Sequence, residues 1–446
     1  MKERRLVVLD VVGLTPEHFN HKENLPHLSS LRDRGRLTRM QPVFPCVTLP
    51  VQASLTTGTY PKEHGIVSNG FYFPENHRVS FWEQASSLVQ KERIWERLKR
   101  KAPELKTAVL FFQNTLYSSC DAVITPKPLH TEEGLIPWCY SKPPGLYEAI
   151  SKKIGEFSLF SYWGPMASIE STRWIAKAAV EAMACLRPNL LFVYMPHLDY
   201  CSQRLGPESP VILDELKEVD KEVGRIMKGI DDLGLTGDTT YMVLSEYAFN
   251  SVRKDVPINR RLKEEGLLHV RAIKGREYLD MELSSAFAMV DHQVAYIFSK
   301  PGFRKSTLKA LEEMDGIGML LGAEGQKDHR VDHERSGDFI AVSEKDRWFS
   351  YPWWDDRSRE PDFAARVDIH GKPGFDPLEL FMEPGTFKIS QNTGLVRGSH
   401  GSPCQSEKDC AAFLVSGEKA MEIEIPENLS VVDVSDLIEK ILLDQE

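Results

Sequence analysis

The chain has 446 residues, of which 41% are hydrophobic and 27% charged, and its formal net charge at pH 7 is −10. This composition is typical of a globular protein with a large core, and the length suggests two or three domain-sized units. The acidic balance argues against non-specific binding to a nucleic-acid polymer, and no stretch of sequence approaches the roughly 20 apolar residues that a membrane helix needs.

The start of the chain and its cysteines favour a cytoplasmic protein with reduced thiols. The apolar run from Leu6 to Leu9 is too short for a signal peptide and predicts the first core strand. The seven cysteines are scattered without C-x-x-C spacing, and Cys404 and Cys410 are the pair closest in sequence. We therefore expect no disulfides and no membrane partner. The sequence does not indicate an oligomeric state.

Apolar runs typical of strands alternate with helical patterns along the first half of the chain. This alternation predicts an α/β fold with a mostly parallel sheet sandwiched by helices. The predicted strands cover residues 6–12, 107–112, 190–195 and 240–244. The predicted helices cover residues 25–34, 50–57, 94–101, 172–186 and 211–233.

The sequence changes character after about residue 250, where charge, proline and tryptophan become more frequent. Five aromatic residues in this part either line a substrate wall or pack the segment onto the core: Trp348, Phe349, Tyr351, Trp353 and Trp354. The core pattern returns with a strand at 412–415 and a helix at 434–443. We therefore predict a catalytic core formed by residues 1–250 and 395–446, with an inserted α+β cap at 251–394.

Four candidate metal ligands follow predicted strands or lie just beyond them, where open α/β sheets bind their ligands. Asp10 closes the first strand, Asp199 and Glu246 follow later strands, and His400 lies in a glycine-flanked turn. Carboxylates that converge at one sheet edge repel each other unless a cation or a proton lies between them, which favours a metal site. Thr48 lies just before a proline that can begin a helix, which is a suitable place to present a nucleophile to a phosphoryl group.

Several motifs make the chain resemble the type I phosphodiesterase/nucleotide pyrophosphatase group of the alkaline phosphatase superfamily. That group has a strand-end Asp, a T-x-P loop followed by S-L-x-T-G, then P-x-x-H-G-I-x-x-N, Y-x-x-x-x-D and a late G-x-H-G. Each has a counterpart in this chain: Asp10, Thr48 to Pro50, Ser54 to Gly58, Pro61 to Asn69, Tyr194 to Asp199, and Gly398 to Gly401. These motifs do not cover the cap.

The resemblance implies a hydrolase of a phosphodiester, pyrophosphate or phosphonate bond in a small phosphorylated substrate, with two metal ions that are usually zinc. It also implies that the Thr48 hydroxyl attacks phosphorus and forms a phospho-enzyme, which water then cleaves. By position, Asp10 and Thr48 belong to one metal, and Asp199 and His400 belong to the other. Asn69 would donate a hydrogen bond to a phosphoryl oxygen.

The chain departs from the family pattern at three metal-ligand positions. Gln203 and Tyr247 stand where the family has histidines, and Glu246 replaces an aspartate. The resulting oxygen-rich set would bind zinc less tightly and favours manganese or magnesium, or one ion rather than two. His197 is a candidate substitute ligand, because it would share the side of Asp199 in an extended segment.

Two alternatives remain open in the sequence. The three altered ligands are also expected of a degenerate homologue that binds a phosphorylated ligand or partner without turnover. In the predicted cap, His292 and His370 lie near carboxylates in the sequence. Each is either a replacement metal ligand or a structural histidine held by hydrogen bonds.

Overall fold

An eight-stranded sheet forms the centre of the molecule. The structure is a computed structural model that describes residues 4–132 and 134–443. The strands lie in the spatial order Gly35–Met40, Ala411–Ser416, Thr239–Leu244, Arg5–Val11, Leu190–Met195, Thr107–Leu110, Ala122–Pro126 and Cys139–Lys142. The five strands from Thr239–Leu244 to Ala122–Pro126 run parallel, and the strand on either side of this set pairs antiparallel with it.

Twelve α-helices lie among the described residues. They are Pro26–Asp33, Thr48–Thr57, Pro61–His64, Ile94–Lys101, Leu146–Ile154, Ile169–Leu186, His197–Leu205, Val211–Asp232, Ile258–Glu264, Arg304–Glu312, Ala323–Asp328 and Val434–Leu442. The two longest helices contact each other, and Ile169–Leu186 also packs on the strand Leu190–Met195. Each of these helices buries the face on which its apolar residues recur at helical spacing.

The three central strands are buried along their whole length. Every residue of Arg5–Val11, Leu190–Met195 and Thr239–Leu244 is shielded from solvent, as expected for parallel strands that are covered on both faces. Burial of each large aliphatic side chain contributes about 1.5–3 kcal/mol, so these continuous apolar runs dominate the stability of the sheet. The predicted α/β fold is confirmed, and the three strand boundaries lie within one residue of the predicted ones.

The register of the sheet brings three of the predicted site segments to one edge. Asp10 pairs with Tyr194 on one side and with Leu244 on the other. Because these strands are parallel, the segments that follow them, which carry Asp199 and Glu246, leave the sheet beside Asp10. The carboxyl ends of the strands therefore form the floor of the candidate site.

A second, four-stranded antiparallel sheet lies between residues 286 and 343. Its spatial order is Ala286–Asp291, Val294–Ser299, Phe339–Ser343 and Ile317–Leu321. The apolar cluster around it includes the buried aromatic residues Phe349, Tyr351, Trp353 and Trp354, and none of the four lines the cavity described below. The packing interpretation of these aromatic residues therefore applies.

Shorter strands pair in five two-stranded sheets. They are Gly70–Phe73 with Arg78–Phe81, Leu129–Thr131 with Gly134–Ile136, Asn250–Ser251 with Gly398–Ser399, Lys254–Pro257 with Arg347–Ser350, and His269–Ile273 with Arg276–Asp280.

The second sheet shares its apolar cluster with residues from the first part of the chain. Phe44, Val67 and Phe81 pack in the same cluster as the strands of that sheet. The main-sheet strands all lie outside residues 251–394, but the division at residues 250 and 394 stays a prediction. No helix in the described part of the chain is long and apolar enough to cross a membrane.

Candidate active site

Thr48 lies at the start of a helix and lines a cavity. Thr48 is the first residue of the helix Thr48–Thr57, which begins two residues earlier than predicted, and Val47 before it is extended. The Oγ1 atom of Thr48 lies 2.9 Å from the Tyr247 hydroxyl. The cavity has a volume of about 350 Å³, and Asp199, Tyr247 and His400 line it as well.

Asp10 and Glu246 form a buried carboxyl pair behind Thr48. Both are fully shielded from solvent, and Gln52 bridges them: its Nε2 lies 2.7 Å from Oε1 of Glu246 and 3.4 Å from Oδ2 of Asp10. The Gln52 side chain is oriented by the backbone N–H of Gln113, which donates to its Oε1. A single amide donor satisfies only part of the acceptor capacity of two carboxylates.

Asp199, Gln203 and His400 meet on the other side of Thr48. The Asp199 helix (His197–Leu205) places Asp199 and Gln203 one turn apart, and Nε2 of Gln203 donates to Oδ2 of Asp199 over 2.9 Å. Oδ1 of Asp199 lies 3.7 Å from Nε2 of His400 and accepts from the Tyr247 hydroxyl over 3.4 Å. The Tyr247 ring stacks on His400 with centroids 3.7 Å apart. Tyr247 therefore connects the Thr48 hydroxyl to Asp199.

Four predicted ligands carry a buried acceptor atom that has no hydrogen-bond partner in the part of the chain that the structure describes. These atoms are Oδ1 of Asp10, Oε1 of Gln203, Oε2 of Glu246 and Nε2 of His400. His400 uses Nδ1 to reach the Cys46 carbonyl oxygen at 2.7 Å; the proton is then on Nδ1, and Nε2 carries the free lone pair. Buried acceptors without donors cost free energy, and a divalent cation would relieve that cost. The residues present therefore fit a metal site.

Burial changes the ionisation of these groups in one consistent direction. It raises the pKa of Asp10 to about 7 and that of Asp199 to about 6, and it raises the pKa of Glu246 well above its usual value. The charge of Asp10 raises the pKa of Glu246 further. Burial also lowers the pKa of His400 well below its usual value, which favours the neutral imidazole that a metal requires. Without a cation, Asp10 and Glu246 hydrogen-bond each other through a shared proton, and a cation would take the place of that proton.

Asn69 orders the Thr48 loop from behind. Its Oδ1 accepts from the Leu49 backbone N–H over 2.9 Å, and its Nδ2 donates to Asp291 over 3.1 Å. Asn69 is fully buried and does not line the cavity. These contacts favour a positioning role over the predicted hydrogen bond to a phosphoryl oxygen, which stays a prediction. The Leu49 backbone N–H is therefore already used by Asn69.

The structural premise for His197 as a substitute ligand is wrong. The segment after Met195 is the Asp199 helix, and it is not extended. Residues two apart on a helix point about 200° away from each other, so His197 faces away from Asp199. Nε2 of His197 instead lies 2.7 Å from Oε2 of Glu215.

The sequence did not reveal Gln52 as a member of the site. The available signal was its spacing, because a residue four positions after Thr48 shares the same face of a helix.

His292 is one of the two candidate replacement ligands. It lines the cavity, and its Nδ1 bonds Asp291 over 2.8 Å. His370 also lines the cavity, and its Nδ1 bonds the Phe81 carbonyl oxygen. Both cap histidines are therefore hydrogen-bonded.

Aromatic residues form a large part of the cavity wall. They include Trp82, Tyr162, Trp163, Tyr200 and Phe375, which come from several parts of the chain. Proline and aliphatic side chains line the wall as well. Such walls suit a ligand that combines a phosphoryl group with a flat or apolar remainder.

Comparisons with known proteins agree with the geometry. The family model for type I phosphodiesterase / nucleotide pyrophosphatase matches residues 6–376 of the chain. The chain belongs to this family. Ectonucleotide pyrophosphatase/phosphodiesterase family member 1 of Mus musculus is 27% identical over 249 residues, which is 53% of this chain and 23% of that protein. Family member 7 of Rattus norvegicus is 24% identical over 53% of this chain and 48% of that protein. The chain thus matches about half or less of these relatives.

Two solved structures of other proteins share the fold. Murine ectonucleotide pyrophosphatase / phosphodiesterase 5 superposes with a TM-score of 0.62 at 17% identity, over 98% of this chain and 95% of that chain. Phosphonoacetate hydrolase from Sinorhizobium meliloti 1021 superposes with a TM-score of 0.65 at 14% identity, over 99% and 96%. The core of this type I phosphodiesterase family member is thus alkaline-phosphatase-like, as predicted.

Proposed function

We propose that the protein is a metal-dependent hydrolase of a phosphodiester, pyrophosphate or phosphonate bond, with Thr48 as its nucleophile. The observation that carries the proposal is the threonine hydroxyl at the cavity, with four unpaired buried acceptors on the ligand residues around it. Family membership and the names of the relatives support the same chemistry.

In the proposed reaction, Oγ1 of Thr48 forms a bond to phosphorus while the bond to the leaving oxygen or carbon breaks. Water then cleaves the phosphothreonine and releases phosphate or its ester. The Thr48 proton can pass to the Tyr247 hydroxyl as that hydroxyl gives its own proton to Asp199.

The predicted ligand set would hold one or two divalent cations. Asp10, Thr48 and Glu246 would hold a cation on one side, and Asp199, Gln203 and His400 on the other, with Tyr247 between them. When bound, the cation would neutralise phosphoryl charge and favour the ionised Thr48 hydroxyl. Six of the seven predicted ligands offer oxygen and only His400 offers nitrogen, which supports manganese or magnesium over the zinc expected from the family.

We propose a small phosphorylated molecule as the substrate, with its phosphoryl group at Thr48 and the rest of the molecule against the aromatic walls. A cavity of about 350 Å³ supports a ligand of nucleotide size. One structural relative is described in complex with AMP and another with phosphonoformate. We also propose a cytoplasmic location, which the seven free cysteines support.

The test follows hydrolysis of a nitrophenyl phosphodiester by the purified protein while zinc, manganese or magnesium is titrated. We expect activity that depends on the metal, with manganese or magnesium at least as effective as zinc. Thr48→Ala should lower kcat by roughly 10³-fold or more, because the attacking atom is removed. Thr48→Ser, which keeps a hydroxyl at the same place, should retain part of the activity.

The controls separate an enzyme from a degenerate homologue. Circular dichroism of both Thr48 variants checks that the fold is retained. If no cation gives turnover of diesters, pyrophosphates or phosphonates, while phosphate or a nucleotide still binds in a calorimeter, the protein is a binder and the hydrolase proposal fails.

A further inference from the structure

The Asp199 helix carries a second cluster of ligand-type side chains on the face turned away from the active site. His197 and Cys201 lie one turn apart on this helix, and Glu215 lies opposite them on the long helix Val211–Asp232. Nε2 of His197 is 2.7 Å from Oε2 of Glu215 and 3.5 Å from Sγ of Cys201. One ligand atom from each residue lies within 4.8 Å of the other two.

The spacing of these atoms resembles that of a tetrahedral zinc site. Zinc–sulfur bonds of about 2.3 Å and zinc–nitrogen bonds of about 2.0 Å place the two ligand atoms roughly 3.5 Å apart, which is the separation between His197 and Cys201. The Glu215 oxygen lies closer, at a hydrogen-bond distance. Its side chain is 31% exposed, so it has room to withdraw by the roughly 0.6 Å that tetrahedral coordination requires.

We propose that His197, Cys201 and Glu215 form a separate binding site for a thiophilic divalent cation such as zinc. Imidazole, thiolate and carboxylate are three ligands of a zinc site, and the partly exposed side at Glu215 leaves the fourth position to water. The site is distinct from the one around Thr48, because Asp199 and Gln203 occupy the opposite face of the same helix.

Cation binding at this site requires the His197 proton to be on Nδ1, so that Nε2 can bind the metal. Nδ1 has no hydrogen-bond partner among the described residues, so no protein contact opposes that tautomer. Cys201 binds as the thiolate, and its proton passes to solvent when the metal–sulfur bond forms.

The location of the site gives it a structural consequence. A cation there would join the first turn of the Asp199 helix to the long helix and would fix the segment that carries Asp199. It would act on the active site only through this positioning.

The proposal can be tested by titrating the full-length, chelator-treated protein with cobalt(II) and recording its absorption spectrum. A cobalt–thiolate bond produces a charge-transfer band that carboxylate, hydroxyl and imidazole ligands do not produce. We expect one equivalent of cobalt to give this band in the unmodified protein. Cys201→Ser should abolish the band, and His197→Gln should weaken cobalt binding by roughly tenfold or more.

Two matched controls identify the source of the band. The double variant Cys404→Ser/Cys410→Ser removes the other close thiol pair, whose sulfurs are 3.2 Å apart, and it should retain the band. Asp10→Asn alters the proposed catalytic metal site and should retain it as well. Circular dichroism checks the fold of each variant. If Cys201→Ser does not fold, the weakened cobalt binding of His197→Gln becomes the deciding measurement. No band in the unmodified protein, or a band that persists in Cys201→Ser, overturns the proposal.

Discussion

At the scale of single residues, Tyr247 and Gln203 occupy the positions of two family histidines and contact the remaining ligands. Tyr247 bonds both Thr48 and Asp199, and Gln203 bonds Asp199. Burial raises the pKa of Tyr247 well above its usual value, so the residue remains a neutral phenol. Both residues therefore act as hydrogen-bonding groups in the structure, and they offer oxygen where the family offers nitrogen.

Restoring the two imidazoles should change the metal preference. We expect the double variant Gln203→His/Tyr247→His to bind zinc about 10-fold or more tightly than the unmodified protein, because zinc prefers nitrogen to neutral oxygen ligands. Calorimetric titration with zinc and manganese measures the change, and manganese affinity should not rise in parallel. Unchanged zinc affinity would place both positions outside the coordination sphere.

Among the secondary-structure elements, the last residue of a strand in the second sheet anchors the segment next to Thr48. Asp291 ends the strand Ala286–Asp291 and accepts hydrogen bonds from Ser68 Oγ, Asn69 N, Asn69 Nδ2 and His292 Nδ1. Asn69 in turn accepts from the Leu49 backbone N–H, next to Thr48. The second sheet therefore fixes the loop that carries the proposed nucleophile.

Asp291→Asn tests this connection between the two sheets. The new amide cannot accept all four hydrogen bonds, so we expect the free energy of unfolding to fall by about 1–3 kcal/mol. We also expect kcat to fall more than KM rises, because the Thr48 loop loses its support. Urea denaturation and steady-state kinetics measure the two effects. Asp362→Asn, at a half-exposed cap position, is the matched control and should change neither.

At the scale of the whole molecule, the buried carboxyls link stability to pH and to metal. The pKa of Asp10 is about 7 in the folded state and 3.8 as an ordinary aspartate. Between these values the folded protein binds more protons than the unfolded chain, so its stability falls as pH rises. A cation that occupies the pair removes the need for that proton.

Thermal unfolding of the chelator-treated protein should therefore show a Tm that decreases from about pH 4 to about pH 7 through this contribution. Manganese at 100 times its Kd should raise the free energy of unfolding at pH 7 by about 2.7 kcal/mol. Melting curves across this pH range measure both effects. The variant Asp10→Asn/Glu246→Gln should flatten the pH dependence and reduce the stabilisation by metal. The assignment of the raised pKa to Asp10 would be contradicted by one result. In the absence of metal, the Tm would rise with pH in the unmodified protein but not in this variant.

The sequence was enough to predict the α/β class, the central strands and the candidate metal-ligand positions at their ends. Continuous apolar runs such as Leu190–Met195 are a local signal, and parallel strands necessarily bring their carboxyl ends to one edge. The motifs around Thr48 added the family and the expected chemistry. The sequence does not give the spatial order of the strands. That order comes from the sheet itself, in which Asp10 pairs with Tyr194 and Leu244.

The tertiary structure alone decided which side chains face each other. A short polar segment such as residues 197–205 has no local signal that separates a helix from an extended chain, so the direction of His197 depended on packing against the long helix. The contacts of Gln52 with Glu246 and of Asp291 with Asn69 join residues 194 and 222 positions apart. Such distant pairs, and the cavity they surround, exist only after the two sheets have packed together.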